Sequence, residues 1–196
     1  MRQLQVLIAC EESQRACIAF RQLGHKAFSC DIQPCSGGHP EWHLQGDVRQ
    51  LIGFNWDLIV AHPPCTYLAK SSATSMYAGK VLNQERFAKA MDARAFFMLF
   101  YECQCPFVAI ENPTPLKCVQ LPPYSQIIQP YEFGDPYSKR TVLWLKNLPP
   151  LFPTAHMLNH SSWVMRSGYA KTRSKSFGGI AAAMAEQWSD YILKNS

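Results

Sequence analysis

The stretch DLIVAHPPCTYLAKSSA, Asp57 to Ala73, decides how the rest of the chain is arranged. Residues 57–61 predict a short buried strand, because they form an apolar run that ends in a turn signal. Pro63 and Pro64 cannot continue a hydrogen-bonded ladder, so the chain turns and Cys65 follows the carboxyl end of a central strand. Ligands bind at that edge of open α/β sheets. Cys65 is therefore a candidate nucleophile, and the alternative is a small buried core residue.

Length, composition and charge set general bounds. The chain has 196 residues, of which 47% are hydrophobic, which predicts one domain over residues 1–196. Its net charge of +5 permits a polyanionic partner, although the dispersed basic residues make charge alone weak evidence. We find neither a signal-peptide pattern nor an apolar run of membrane-spanning length. We therefore expect a cytoplasmic protein with no membrane partner, and mostly free thiols among its eight cysteines.

One group of cysteines and histidines invites comparison with zinc sites. Cys30, Cys35, His39 and His43 are residue types that bind Zn²⁺. Their spacing matches no common zinc module, so we predict no metal.

Apolar runs alternate with amphipathic stretches along the chain. This pattern predicts an α/β fold with a mostly parallel central sheet, helices on both faces and an antiparallel strand near the edge. Ser13 is expected to cap the first helix and Gly24 to end it. The predicted strands are Leu4–Ala9, Ala27–Cys30, 57–61, Phe107–Ile110, Ser125–Phe133 and Thr141–Leu145, and the later helices are Glu85–Tyr101 and the segment from Phe177 to Ile192.

Two features of the predicted sheet suggest a cofactor site. The first turn, Cys10 to Ser13, is where a cofactor meets the sheet in such folds, although no glycine lies between Ala9 and Leu23. Asp31 ends the second strand, where a carboxylate can accept two hydrogen bonds from a ribose diol. The alternative for Asp31 is a solvated turn residue.

A carboxylate follows the strand Phe107–Ile110. Glu111 is delivered to the same sheet edge as Cys65, where an apolar setting is expected to raise its carboxyl pKa and suit proton transfer. It could instead cap a neighbouring helix. Residues 67–84 are small and polar, which favours a mobile loop over a substrate, or else an ordinary surface loop.

Residues 147–176 are irregular and basic. Arg166, Lys171, Arg173 and Lys175 alternate with Trp163 and Tyr169. Such a pattern suits nucleic-acid backbone contact and base stacking, and a plain basic surface loop is the alternative.

Four motifs together resemble those of the DNA cytosine-5 methyltransferases. Pro63-Pro64-Cys65 resembles their Pro-Cys nucleophile motif, and Ile110-Glu111-Asn112-Pro113 resembles their Glu-Asn signature. DPYSKRTVLWL, residues 135–145, is similar to the basic motif, and FGGIAAAMAEQW, residues 177–188, to the last helical motif. The order and spacing fit nearly the whole chain, and short, often phage-encoded members are the most similar in layout. A phage-encoded member would act in the host cytoplasm.

The resemblance implies a Rossmann-like methyltransferase fold that uses S-adenosylmethionine, and DNA, single- or double-stranded, as partner, with no obligate protein partner. It implies that Cys65 adds to C6 of cytosine, that Glu111 holds a proton at N3 and that Arg140 lies near the base carbonyl. The implied cofactor residues are Cys10, Glu11, Glu12, Ser13, Asp31, Ile32, Asp47, Val48 and Pro63. The implied substrate residues are Pro64, Ser71, Ser72, Asn112, Lys139, Arg166 and Arg173. By spacing alone, Asp47 could equally be a helix cap.

The chain also departs from the family. Full-length members carry a large target-recognition segment where this chain has only residues 147–176. Three hypotheses follow: a compact DNA methyltransferase with a minimal recognition loop, the same chemistry on a cytosine nucleotide or RNA, or an inactive relative that binds nucleic acid or S-adenosylmethionine.

Overall fold

A computed structural model describes residues 2–162 and 175–195. Most strands are short, apolar and followed by a turn or a helix, as expected for an α/β chain. The strands are β1 Gln5–Ala9, β2 Lys26–Asp31, β3 His43–Gln45, β4 Leu58–Ala61, β5 Tyr77–Ala78, β6 Val81–Leu82, β7 Phe107–Pro113, β8 Gln126–Ile128, β9 Tyr137–Ser138, β10 Thr141–Lys146 and β11 Ser161–Ser162. The helices of the described part are α1 Arg15–Gln22, α2 Ala73–Met76, α3 Gln84–Glu102 and α4 Gly178–Asn195.

Seven strands form the central sheet in the order β3-β2-β1-β4-β7-β10-β8. The first five in this order are parallel, and β10 is antiparallel to both of its neighbours. The predicted Rossmann-like α/β fold, mostly parallel with an antiparallel strand near the edge, is confirmed. The order of the strands reverses between β1 and β4, and the carboxyl ends of strands at such a point form the usual ligand crevice.

Alternate residues of the strands face two separate hydrophobic cores. Val6 and Ile8 of β1 pack on the face covered by α1 and α4, whereas Leu7 and Ala9 pack on the face covered by α3. All four side chains are fully buried. Helix α4 therefore packs against α1 and β1.

Three local predictions need correction. Helix α1 begins at Arg15, and its capping residue is Gln14 in a left-handed conformation, with no cap from Ser13. Pro130 begins a 3-10 turn, so the predicted strand Ser125–Phe133 shortens to β8. Residues 67–84 form α2 and the β5–β6 hairpin, and this segment is anchored by a hydrogen bond of 2.7 Å from the Leu116 amide to the Leu68 carbonyl.

The cysteine and histidine group has other contacts. Both ring nitrogens of His43 lie 2.9 Å from oxygen partners, and His39 stacks on Trp42. Within residues 2–162 and 175–195, no three Cys, His, Asp or Glu side chains are placed to hold a metal ion. All eight cysteines lie in this part of the chain and none forms a disulfide. No helix of the same residues combines the length and apolar character that crossing a membrane requires.

Candidate active site

The turn that carries Cys65 is fixed from three sides. The His62 amide donates to the Ala9 carbonyl at 2.9 Å, which ties the start of the turn to β1. The Cys65 carbonyl accepts from two amides further along the turn, at 3.0 and 2.9 Å. From β7, the buried Asn112 amide donates to the Pro63 carbonyl at 2.9 Å. Pro63 is buried and Cys65 is half-buried. The predicted strand-end position of Cys65 is thus confirmed, and Asn112 holds the turn in place.

Glu111 is paired with a histidine rather than standing alone in an apolar setting. Its Oε2 lies 3.2 Å from His62 Nδ1, and the two side chains are 19% and 9% exposed, respectively. Burial tends to raise the pKa of Glu111, but the hydrogen bond from His62 and the charges of Lys139 and His62 outweigh burial and lower it. The expectation of a raised carboxyl pKa was therefore wrong.

The charge of His62 follows from the same pair. Burial tends to lower its pKa, and Lys139 acts in the same direction. The hydrogen bond and charge of Glu111, with the charge of Glu11, act in the opposite direction and leave the pKa of His62 raised. Both shifts therefore favour the charged forms of the pair, an imidazolium and a carboxylate.

A small cavity lies beside this pair, between the sheet edge and helices α1 and α4. Its polar side chains come from His62, Glu111 and Lys139. The remaining lining residues are Ala16, Ser176, Phe177, Ile180, Ala181 and Met184. Among the described residues, the basic motif thus contributes Lys139 to this cavity. Arg140 is exposed at the start of β10, and its predicted contact with the base carbonyl stays a prediction.

The side chains of the first turn are largely buried. Glu11 is 3% exposed, and its carboxylate accepts from the Ala16 and Cys17 amides at 2.8 and 3.3 Å, so it caps α1. Burial raises the pKa of Glu11 despite these bonds. Cys10 has a positive φ of 59°, and burial, with Asp31, raises the pKa of its thiol. Of the predicted cofactor residues in this turn, Glu11 thus has a structural role.

Glu12 and Ser13 complete the first turn. The Ser13 hydroxyl lies beside the Glu11 carboxylate. The side chain of Glu12 is 10% exposed, and within the described residues its Oε2 has no hydrogen-bond partner. A buried carboxylate oxygen without a donor is costly, so this atom is suited to a ligand donor.

Residues 35–39 and residues 175–176, just before α4, cover the first turn. The Gln14 side chain makes two hydrogen bonds with the His39 backbone, at 2.8 and 3.1 Å. A Cβ on Gly37 would lie 2.5 Å from Gln14 Cβ, so only glycine permits this close approach. Lys175 Nζ donates to Ser36 Oγ at 2.9 Å, and the Arg15 guanidinium donates to the Ser176 carbonyl. The segments that cover the first turn are therefore distant from it in sequence.

The ends of β2 and β3 carry the other predicted cofactor residues. Asp31 is half-buried and accepts the Gln33 amide at 2.9 Å, while Ile32 is 75% exposed. Asp47 caps the 3-10 turn Val48–Gln50 and pairs with Arg49, whose hydrogen bonds lower the pKa of Asp47. The alternative weighed for Asp47, a helix cap, is therefore observed.

The predicted substrate residues are spread around the turn. Pro64 and Ser71 are exposed, and Ser72 Oγ donates to the Ala69 carbonyl at 2.8 Å. The predicted residues Arg166 and Arg173 lie outside the described residues, as do Trp163, Tyr169 and Lys171.

Comparisons with known proteins concern the fold. No family model and no curated protein matches the sequence. The methyltransferase EhMeth of Entamoeba histolytica is similar at 15% identity over 82% of this chain and 57% of that chain, with a TM-score of 0.46. The Dnmt2 methyltransferase of S. pombe is similar at 14% identity over 76% and 51%, with a TM-score of 0.42. This chain thus spans little more than half the length of either protein, and its function is inferred from its own residues.

Sequence reasoning missed His62, Gln14 and the cover over the first turn. One signal could have identified the role of His62: His62 and Glu111 each follow the last apolar residue of adjacent parallel strands, and Ala61 is in register with Ile110.

Proposed function

We propose that this protein is an S-adenosylmethionine-dependent methyltransferase that acts on C5 of cytosine through a covalent bond between Cys65 and C6. One observation carries the proposal: the Asn112–Pro63 hydrogen bond joins the turn of Cys65 to the strand end of Glu111. A thiol and a carboxylate are thereby held at the carboxyl edge of adjacent parallel strands. This edge is the usual position of an α/β active site.

The chemistry needs both groups. Cytosine C5 is a weak nucleophile, so the Cys65 thiolate first adds to C6, and the electrons move towards N3 and C5. Glu111 holds a proton at N3 and so stabilises the charge that develops on the ring. S-adenosylmethionine supplies the methyl group to C5. Transfer of the C5 proton to solvent water and β-elimination of the Cys65 thiolate then break the C6–S bond and restore the aromatic ring.

The residues of the first turn and of β2 fit this cofactor. The unpartnered Glu12 Oε2 would accept a hydrogen bond from the amino group of the methionine portion. Asp31 at the end of β2 would accept the ribose hydroxyls, and the exposed Ile32 would supply an apolar surface for adenine. Asp47, Val48 and Pro63 remain proposed neighbours of the cofactor.

We propose DNA as the substrate. In a duplex the base must leave the stack before Cys65 can reach C6. Lys139 lines the cavity, Arg140 follows it in the chain, and residues 147–176 would form a short recognition loop with Arg166 and Arg173. A loop of this length favours poor or delegated sequence recognition.

A covalent trapping assay tests the proposal. The protein is incubated with S-adenosylmethionine and DNA that contains 5-fluorocytosine, and adducts are located by denaturing gel and mass spectrometry. Because fluorine cannot leave C5 as a proton does, the expected result is an adduct at Cys65. Cys65→Ala should abolish it, while Cys103→Ala, a change of another half-buried cysteine at the opposite edge of the sheet, should not.

Single-stranded DNA, RNA and a cytosine nucleotide are tested in parallel. An adduct on RNA or nucleotide alone would keep the chemistry and overturn the DNA substrate. Cofactor binding without any adduct would favour an inactive relative, and no cofactor binding would refute the methyltransferase proposal.

A further inference from the structure

Two carboxylates act on His62 at the edge of the sheet. Glu111 of β7 accepts its Nδ1 proton at 3.2 Å, and Glu11 of the first turn acts on it through its charge. Lys139, which precedes β10, is the cation that faces the same group. The side chain of His62 is only 9% exposed, so these charges act through little solvent.

The second nitrogen of the ring is also informative. His62 Nε2 is buried, and within the described residues it has no hydrogen-bond partner. The ring lines the cavity that Glu111 and Lys139 also line. A buried N–H without an acceptor is normally avoided, so the ring is placed for more than packing. Among the described residues, its hydrogen-bond partner is Glu111.

We infer that His62 is a positioning residue that fixes the Glu111 carboxylate at the cavity and supplies the proton that Glu111 passes to the substrate ring. This inference rests on the proposed function. As the Cys65–C6 bond forms, the Nδ1 proton of His62 passes to the Glu111 carboxylate and from there to N3, and His62 becomes a neutral imidazole. When the ring loses its N3 proton at β-elimination, the proton returns along the same path, so no net proton is consumed.

The first experiment does not depend on activity. The ring proton signals of His62 are followed by NMR as a function of pH in the wild type and in Glu111→Gln. We expect a pKa above the ordinary 6.5 in the wild type and a clear decrease in the variant. His25, another buried histidine, whose ring accepts the Leu4 amide, should keep its pKa in both proteins. A His62 pKa that does not change in Glu111→Gln overturns the inference.

The second experiment measures the rate of adduct formation at Cys65 in His62→Gln, Glu111→Gln and the double variant. Loss of a proton donor should lower the rate by about 10²-fold. Because His62 acts through Glu111, the double variant should be no slower than Glu111→Gln alone. The wild-type rate should decrease as pH rises through the pKa of His62, and His62→Gln should lose this decrease. His25→Gln should leave the rate unchanged.

The outcomes separate the two proposals. Suppose that the wild type forms an adduct, but that the double variant is slower than Glu111→Gln by the same factor by which His62→Gln slows the wild type. His62 then does not act through Glu111, and only the inference is overturned. If the wild type forms no adduct on any cytosine substrate, the proposed function is refuted. The NMR titration would then still show whether His62 and Glu111 form an ion pair.

Discussion

Replacement of Asn112 by alanine tests whether one hydrogen bond holds the Cys65 turn. Asn112 is 1% exposed, and its amide donates to the Pro63 carbonyl at 2.9 Å. Removal of the donor leaves a buried carbonyl unpaired, which costs about 1–3 kcal/mol. The change also removes Asn112 Oδ1, a buried oxygen with no hydrogen-bond partner in the described part of the chain, and this offsets part of the cost. We expect a net loss of about 1–2 kcal/mol.

This loss should be measurable by urea denaturation as a lower midpoint with an unchanged slope. In a chain of this size, it corresponds to a decrease in melting temperature of roughly 2–8 °C. The rate of adduct formation should decrease by up to about 10²-fold, because a shift of about 1 Å in a reacting group has that effect. Asn195→Ala removes a similar amide–carbonyl bond of 2.7 Å at the exposed end of α4 and should change neither property.

Asn112→Asp sharpens the test. The variant keeps the shape of the side chain but places an acceptor against the Pro63 carbonyl, so at neutral pH it should be less stable than Asn112→Ala. At low pH the protonated carboxyl regains an O–H donor, and the difference should shrink. Wild-type stability and wild-type adduct rates in Asn112→Ala would refute the role of this bond.

Three further predictions concern the surroundings of the site. The His62–Glu111 pair should stabilise the fold fully between pH 4.5 and 6.5, the ordinary values of the two groups. The contribution of the pair should fall as pH rises through the raised pKa of His62, and also as pH decreases through the lowered pKa of Glu111. The melting temperatures of the wild type and the double variant His62→Gln/Glu111→Gln should therefore differ most between pH 4.5 and 6.5. A difference that does not depend on pH would contradict the pairing. Glu11→Ala should lower stability by about 1–2 kcal/mol in urea denaturation through loss of the α1 cap, and an unchanged midpoint would show that the cap is dispensable. Gly37→Ala should displace residues 35–39 and make their amides exchange faster with solvent, whereas Gly53→Ala, where a Cβ meets open space, should not.

Local sequence patterns predicted the parts of the fold that local physics controls. The strands β1, β4 and β7 are apolar runs between turn signals, and their parallel pairing brings Cys65 and Glu111 to one edge. The parts that were not predicted depend on contacts between distant residues. Gln14 adopts a positive φ while it is held by the backbone of His39, and no local pattern indicates that contact.

The pKa of Glu111 shows why the chemistry of a buried group needs its neighbours. From the sequence, an apolar strand end predicted a raised pKa, and burial does act in that direction. His62 and Lys139 reverse the result. His62 follows the adjacent strand β4, and Lys139 comes from the segment before β10. The direction of the Glu111 pKa shift therefore depends on which segments lie next to β7, rather than on the composition of β7 itself.

The parallel register explains how one strand end serves two roles. Ala61 of β4 is aligned with Ile110 of β7, and both face the core beneath α3. One position further along both strands, His62 and Glu111 meet on the opposite face, beside the cavity formed with α1 and α4. One more position returns Asn112 to the first face, where it binds the Pro63 carbonyl. The alternation of side chains along β7 therefore places the proton-transfer group and the group that holds the nucleophile turn on opposite faces. Insertion of one residue in β7 before Glu111 would move Glu111 and Asn112 each to the opposite face of the sheet, and it should abolish the function of both.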